Sequence, residues 1–150
     1  MSDQDCLPEL IGLASNSDHL QSAQHIAAKR LLDHDGEIFP SDACAITLSV
    51  LLQESGISVP DIFGALELGN HLKNIRNWKS IPIGEQRAGD VGSTCGSRPA
   101  HGKDHIYLVL RGVNADEMVI ADNQDTQPHF RFVSGKAGKT PTKFFLRAPG

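Results

Sequence analysis

The sequence lacks the features that mark membrane and nucleic-acid-binding proteins. No run approaches the ~20 consecutive apolar residues of a membrane span, and positive charge is not in excess: 14 Lys and Arg face 18 Asp and Glu, giving a formal net charge of -4. Binding to nucleic acid usually requires a clustered basic surface. We therefore expect neither a membrane span nor a nucleic-acid partner.

Cysteine is also scarce, with three residues and no CxxC pair. An odd number leaves at least one thiol outside any intramolecular disulfide, and the spacing does not favour a cysteine zinc site. His25, His71 and His129 lie on separate segments without HxH or HxxxH spacing between them. We predict no metal and no cofactor.

The N-terminus carries acidic residues where a signal peptide would carry Lys or Arg, and it has no continuous apolar core. We expect synthesis in the cytoplasm without a signal peptide, followed by non-classical export or delivery to a target periplasm. The 150 residues suit a single domain over 1–150. Residues 1–15, which contain Cys6, are expected to fray.

The first half of the chain has helical periodicity. Apolar residues at helical spacing predict a helix over 17–33. A second helix, from 40–42 to a stop at Gly56, is apolar on most sides and should occupy the centre of the core. A third is predicted from Pro60 to about Lys73, because proline suits a first helical turn.

The second half favours strands. The predicted order is a short extended piece at 80–83, a Gly- and Pro-rich loop over 86–104 around Asp90-Val91, then strands at 105–110, 118–121, 129–133 and 142–146. Residues 112–116 form a hairpin loop between the first two of those strands. Helices followed by an antiparallel meander indicate an α+β fold, with N-terminal helices packed on an antiparallel sheet.

Cys44 lies near the first turn of the apolar helix. Free N–H groups and the helix dipole at such a position favour an anion, so we expect a lowered thiol pKa and a reactive thiolate. The same N–H groups can stabilise an oxyanion. The alternative is a small buried apolar residue, the commoner state of a free cysteine.

His105 opens the strongest strand, where its imidazole can act as a base for a thiol. His101 is the main rival, within a loop that holds Pro99 and Gly102. Asp122 ends the next strand of the hairpin, so antiparallel pairing should bring it to the same end of the sheet as His105 and let it orient the imidazole. Asn123 and Gln124 are alternative orienting residues.

Four segments carry a resemblance to a known family: Cys44-Ala-Ile-Thr-Leu-Ser-Val-Leu-Leu, Ala88-Gly89-Asp90-Val91, Asp104-His105-Ile106-Tyr107-Leu108-Val109 and Ala121-Asp122-Asn123-Gln124. In order and approximate spacing, residues 40–125 resemble the papain-like peptidoglycan hydrolases of the CHAP and NlpC type. Residues 42–56 also resemble amidase effectors delivered by type VI secretion systems. The resemblance implies a papain-like core and cleavage of amide bonds in stem peptides, or between glycan and peptide.

The resemblance also implies site residues and partners. Cys44 would be the nucleophile, His105 the base and Asp122 the orienting group. Ala43 stands where the family commonly has Asp, Gln or Asn, so it joins Asn123 and Gln124 only as an oxyanion or orienting candidate. Trp78 and Asp104 are candidates for a substrate groove. The expected substrate is a peptidoglycan stem peptide or another amide. A toxin of this type would have an immunity protein as a partner. We expect the protein to be a monomer.

Two other functions remain open on the sequence. The same triad could deamidate or cleave a protein substrate, because the loops decide the substrate. The chain could instead be a non-catalytic interaction domain of the same fold. Cys95, in the loop Ser93-Thr94-Cys95-Gly96, has a weaker claim to reactivity than Cys44 because no rigid base adjoins it.

Overall fold

A computed structural model describes residues 1–35, 43–100 and 103–150. This part of the chain has an α+β fold in which the helices precede a six-stranded antiparallel sheet, and it confirms the fold class at that level. The helices are a 3-10 turn (Gln4–Cys6), α1 (Leu7–Ser15), α2 (Ser17–Asp35), α3 (Cys44–Glu54) and α4 (Ala65–Asn74). The strands are β1 (Lys79–Ile81), β2 (Val91–Ser93), β3 (Ile106–Gly112), β4 (Glu117–Ala121), β5 (His129–Phe132) and β6 (Phe144–Arg147).

Two of the predicted helices are confirmed. Helix α2 covers the predicted 17–33, with Leu20, Ala23 and Ala27 fully buried along one face. Helix α3 is central, because every residue from Cys44 to Leu52 is buried. The start predicted for α3 at 40–42 lies outside the described residues.

The prediction of a frayed N-terminus is wrong. Helix α1 buries Leu10 and Ala14 in the main core. The Asp3 carboxylate accepts hydrogen bonds from the Arg76 guanidinium at 2.6 and 2.7 Å and from the Trp78 indole at 2.9 Å. The first fifteen residues lack a strong local pattern, and these long-range contacts give them a fixed place.

The predicted start of α4 at Pro60 is also wrong, since the helix begins at Ala65 after an extended Gly64. The preceding segment alternates buried Ile57 and Val59 with exposed neighbours. The Gln53 amide donates to the Val59 carbonyl at 3.1 Å and to the Asp61 carboxylate at 2.8 Å. These side-chain contacts hold the segment outside a helix despite a favourable proline.

The sheet order is β1-β6-β2-β3-β4-β5, so it is not a simple meander. Strand β6 follows β5 in the chain but does not pair with it; β6 lies between β1 and β2 in the sheet. That position pairs both edges of β6 and one edge of β2, whose backbone groups would otherwise be unpaired. Phe145 and Leu146 of β6 become fully buried as a result.

Strand β3 separates two clusters of apolar side chains, as its double-sided apolar pattern predicts. Ile106, Leu108 and Leu110 belong to the large cluster that includes the helices. Tyr107 and Val109 belong to a smaller cluster that includes β4 and β6 side chains. Because β3 is buried on both faces over its first five residues, its N-terminal end is a rigid support for a site.

No helix in the described ranges is both long and apolar enough to cross a bilayer.

Candidate active site

Cys44 is the first residue of α3, and its side chain is enclosed by protein, with the residue 5% exposed. The backbone amides of Ala45 and Ile106 lie close enough to its sulfur to lower the pKa of the thiol. Ala45 belongs to the first turn of α3, where such donors have no partner within the helix. Ile106 directly follows His105, so the thiol lies against the start of β3.

The expected low pKa of Cys44 is wrong for the resting protein. Burial raises the pKa of the thiol to about 11, and the donors from Ile106 and Ala45 only partly offset that burial. Nearby Cys95 and Asp122 raise it further, because their negative charge would repel a thiolate. At neutral pH the resting sulfur is therefore a protonated thiol.

His105 lies immediately before β3, which begins one residue after the predicted strand start. The residue is 6% exposed. Thr94 fixes its backbone from both sides: the Thr94 hydroxyl accepts the His105 N–H at 2.9 Å, and the Thr94 N–H donates to the His105 carbonyl at 3.0 Å. The imidazole is thus held on a rigid backbone.

Asp122 directly follows β4 and contacts the His105 ring. Antiparallel pairing places Ala121 opposite Leu108, and the Nε2 of His105 lies 2.8 Å from Oδ2 of Asp122. The carboxylate is fully buried. Burial alone would raise its pKa, but hydrogen bonds and positive charge from His105 and His129 outweigh burial and hold the pKa well below its usual range. Asp122 therefore remains a carboxylate.

His129 is a site residue that the sequence analysis considered only as a metal ligand. Its Nε2 lies 2.8 Å from Oδ1 of Asp122, so two imidazoles share one carboxylate. The hydrogen bond to Asp122 raises the pKa of His129, although partial burial opposes it. The strand pairing of Ile120 with His129 could have indicated this contact, had the β4–β5 register been known.

Helix α2 holds the bend that carries Asp122. The Gln24 amide donates to the Asp122 carbonyl at 2.8 Å and to the Asp125 carbonyl at 2.7 Å. The Gln124 N–H donates to Oδ1 of Asp122 at 2.9 Å. These bonds fix the backbone of the bend and one oxygen of the carboxylate, and so hold the carboxylate in one orientation.

The other orienting and oxyanion candidates occupy different positions. Gln124 is exposed and contacts Asp122 through its backbone, whereas Asn123 is half-buried in the same bend. The Ala43 carbonyl accepts the N–H of Thr47 at 2.9 Å and so begins the hydrogen bonds of α3. Of the three orienting candidates Asp122, Asn123 and Gln124, Asp122 is the one whose side chain contacts the His105 ring.

Of the two groove candidates, one lines an open cleft and one is interior. Trp78 is 2% exposed with its indole bonded to Asp3, so its assignment to a substrate groove is corrected to a core position. Asp104 is half-buried and lines a cleft beside His105. His101, the rival to His105, lies outside the described residues.

The cleft beside His105 has a volume of about 200 Å³. Its wall is strongly polar, and besides Asp104 and His105 it includes Lys103, Arg131 and Lys139. A polar cavity of this size, open to solvent and next to a positioned imidazole, can admit part of a substrate.

The remaining thiols are also buried and reduced. Cys6 lies in the N-terminal turn, with its sulfur 3.6 Å from the sulfur of Met1. Burial raises the pKa of Cys95, which lies beside the His105 backbone. Among residues 1–35, 43–100 and 103–150, no group of three or more His, Cys, Asp or Glu side chains is arranged to hold a metal ion.

The described part of the chain is therefore α+β, with a His–Asp–His cluster around the buried Asp122 carboxylate, next to a helix-start cysteine. Comparison of the sequence and structure with protein-family models, curated proteins and solved structures finds no match.

Proposed function

We propose that this protein is a cysteine hydrolase with a papain-like core that cleaves amide bonds of bacterial peptidoglycan, as an amidase or endopeptidase. The observation that carries the proposal is the 2.8 Å contact between His105 and the buried Asp122, at a strand start whose Ile106 amide lies close enough to the Cys44 sulfur to lower the pKa of the thiol. Nucleophile, base and orienting carboxylate follow one another in this order, as the resemblance to the CHAP and NlpC type implies.

The tautomer of His105 follows from its partner. A carboxylate can only accept, so Nε2 of His105 carries the proton in the bond to Asp122. The lone pair is then on Nδ1, which is the atom available to take the thiol proton. Asp122 thereby fixes both the ring orientation and the basic nitrogen.

The chemical steps are those of acyl transfer. Nδ1 of His105 removes the Cys44 proton as the sulfur attacks the amide carbon. The imidazolium returns that proton to the leaving amine as the C–N bond breaks, leaving a thioester. Water, deprotonated by His105, then attacks the thioester, and the thiol and a carboxylic acid are released. Because the resting thiol is protonated, its proton transfer accompanies attack and does not precede it.

Purified peptidoglycan tests the proposal. Cys44→Ala should abolish release of soluble fragments, and His105→Gln and Asp122→Asn should lower the rate by about 10²–10⁴-fold, the usual contribution of acid–base groups. Cys6→Ala is the matched control: it removes another buried thiol but should retain full activity. Wild-type rates in the Cys44→Ala protein, with folding verified by circular dichroism, would refute the proposed nucleophile.

The substrate can be separated from the chemistry by mass spectrometry of the digest. A new free amine or stem fragment supports the wall substrate. A deamidated or cleaved protein, with an unchanged wall, would assign the same triad to a protein substrate. For a wall-directed toxin we further propose delivery to a target periplasm and an immunity protein that binds the monomer.

A second candidate function has its own support. The Cys44 side chain is enclosed and its pKa lies at about 11, both of which suit a non-catalytic interaction domain. In that case wild-type protein and Cys44→Ala would release the same negligible amount of wall fragment.

A further inference from the structure

The side chain of Arg131 is a buried cation that pairs with no carboxylate of residues 1–35, 43–100 and 103–150. Arg131 lies on β5 and is 3% exposed. Within the described residues its guanidinium forms no ion pair with a carboxylate. Its Nη2 donates to the Thr140 carbonyl at 2.9 Å, while its Nε is buried without a hydrogen-bond partner among these residues.

The contacts of Arg131 compensate its charge only in part. The guanidinium carbon lies 5.1 Å from the centre of the Tyr107 ring, a cation–π contact. A carbonyl oxygen and an aromatic face are neutral partners, and a buried charge normally requires a charged one. The positive charge of Arg131 is therefore not balanced by a directly bonded carboxylate of the described residues.

Arg131 also lines the cleft beside His105, and its neighbours there have the same sign. Lys103 and Lys139 are exposed on the cleft wall, with Asp104 as the acidic residue among the lining side chains. Among the lining residues that the structure describes, three cations face one carboxylate, a strong local excess in a chain whose formal net charge is -4. Such a cleft attracts anions.

We propose that this cleft binds a carboxylate of the substrate, with Arg131 as the principal counter-ion and Lys103 and Lys139 at the rim. The inference rests on the proposed function and narrows its substrate class to amides that carry a free carboxylate near the scissile bond. A guanidinium suits this role because its planar donors match the two oxygens of a carboxylate. Arg131 is a specificity residue here, and the proton transfers remain with His105.

The test is a binding measurement that does not depend on hydrolysis. A synthetic stem tetrapeptide with free carboxylates and the same peptide with every carboxylate converted to carboxamide are titrated by calorimetry into Cys44→Ala protein, which cannot consume them. The free-carboxylate peptide should bind about tenfold more tightly or better, the effect of one charged hydrogen-bonded pair. Arg131→Gln should abolish the preference.

Two exposed lysines of the same turn provide the matched comparison, because Arg131→Gln removes buried contacts and could impair folding. Lys139→Gln should reduce the preference severalfold, whereas Lys136→Gln should leave it unchanged, since Lys136 packs over the Phe132 ring and does not line the cleft. Equal binding of the two peptides, no binding of either, or equal effects of the two lysine variants would overturn the proposal. A carboxylate preference without wall digestion would retain the anion site and reject peptidoglycan as the substrate. Wall digestion without the preference would retain the hydrolase and reject the anion site.

Discussion

Asp122 accepts hydrogen bonds from the rings of His105 and His129, each at 2.8 Å. The hydrogen bond to Asp122 raises the pKa of His129, so His129 retains its proton to higher pH than a free histidine. A protonated His129 compensates the carboxylate charge from the side opposite His105. The carboxylate can then orient His105 without being an isolated buried charge.

The pKa of Cys44 is raised by burial, because no positive side chain of the described residues is among the main influences that could lower it. With a pKa of about 11, its thiolate fraction at pH 7 is on the order of 10⁻⁴. We predict that alkylation of Cys44 by iodoacetamide in folded protein is slow near neutrality and accelerates with pH until about 11. Peptide mass spectrometry after timed quenching measures this rate at Cys44 alone.

The urea-unfolded chain is the control for that measurement, since its Cys44 should titrate near the free value of about 8.5. Alkylation of folded Cys44 below about pH 7 at a rate equal to that of the unfolded chain would contradict the prediction. It would mean that the helix N-terminus outweighs burial in solution.

At the scale of elements, β2 is short but packs tightly against β3. Gly92 pairs with Tyr107, and a Cβ atom at position 92 would overlap the Tyr107 ring. The ring is fully buried, and its hydroxyl is hydrogen-bonded to Thr142, so it has little room to move. Glycine at 92 is therefore required by the close approach of this side chain.

We predict that Gly92→Ala lowers the free energy of unfolding by about 1–3 kcal/mol through overpacking. Gly12→Ala is the matched control, because Gly12 lies in α1 with nothing within 4 Å of the added Cβ. The control should raise the free energy of unfolding by about 0.5–1 kcal/mol, since alanine favours a helix. Urea unfolding followed by circular dichroism measures both; equal shifts in the two variants would argue against the packing account.

Most elements of the fold could be predicted from sequence, because their patterns are local. The periodicity of α2 and the apolar run of α3 and β3 need only a window of about 11–18 residues. Two local signals failed: Pro60 did not start α4, and β6 did not remain beside β5. The Gln53 amide holds the segment after α3, and pairing with β1 and β2 holds β6; in each case these tertiary contacts outweigh the local preference.

At the scale of the whole molecule, the N-terminal segment is bonded to residues far along the chain, near the middle and at the C-terminus. Asp3 receives bonds from Arg76 and Trp78, which lie 73 and 75 residues away, and the Gln4 N–H donates to the Pro149 carbonyl at 3.2 Å. Hydrogen bonds from Arg76 and Trp78 hold the pKa of Asp3 below its usual value despite burial, with the Arg76 bond the largest influence. Both chain ends thus contribute to one folded unit.

We predict that Asp3→Ala lowers the free energy of unfolding by about 1–3 kcal/mol, because it removes the acceptor of the buried Trp78 indole N–H and of the half-buried Arg76 guanidinium. Asp5→Ala, two residues along and exposed, should have little effect. Fluorescence of the single tryptophan, Trp78, follows unfolding in urea and senses this contact directly. A wild-type unfolding curve for Asp3→Ala would restore the expectation of a frayed terminus.

The sequence by itself determined the α+β class, the central helix with Cys44 at its start, and the hairpin whose ends carry His105 and Asp122. These features follow from short-range periodicity and from the geometry of antiparallel pairing. Only the tertiary structure decided the high pKa of Cys44, the second imidazole on Asp122 and the buried charge of Arg131. Each depends on which distant groups exclude water from a side chain, and that is a property of packing in three dimensions.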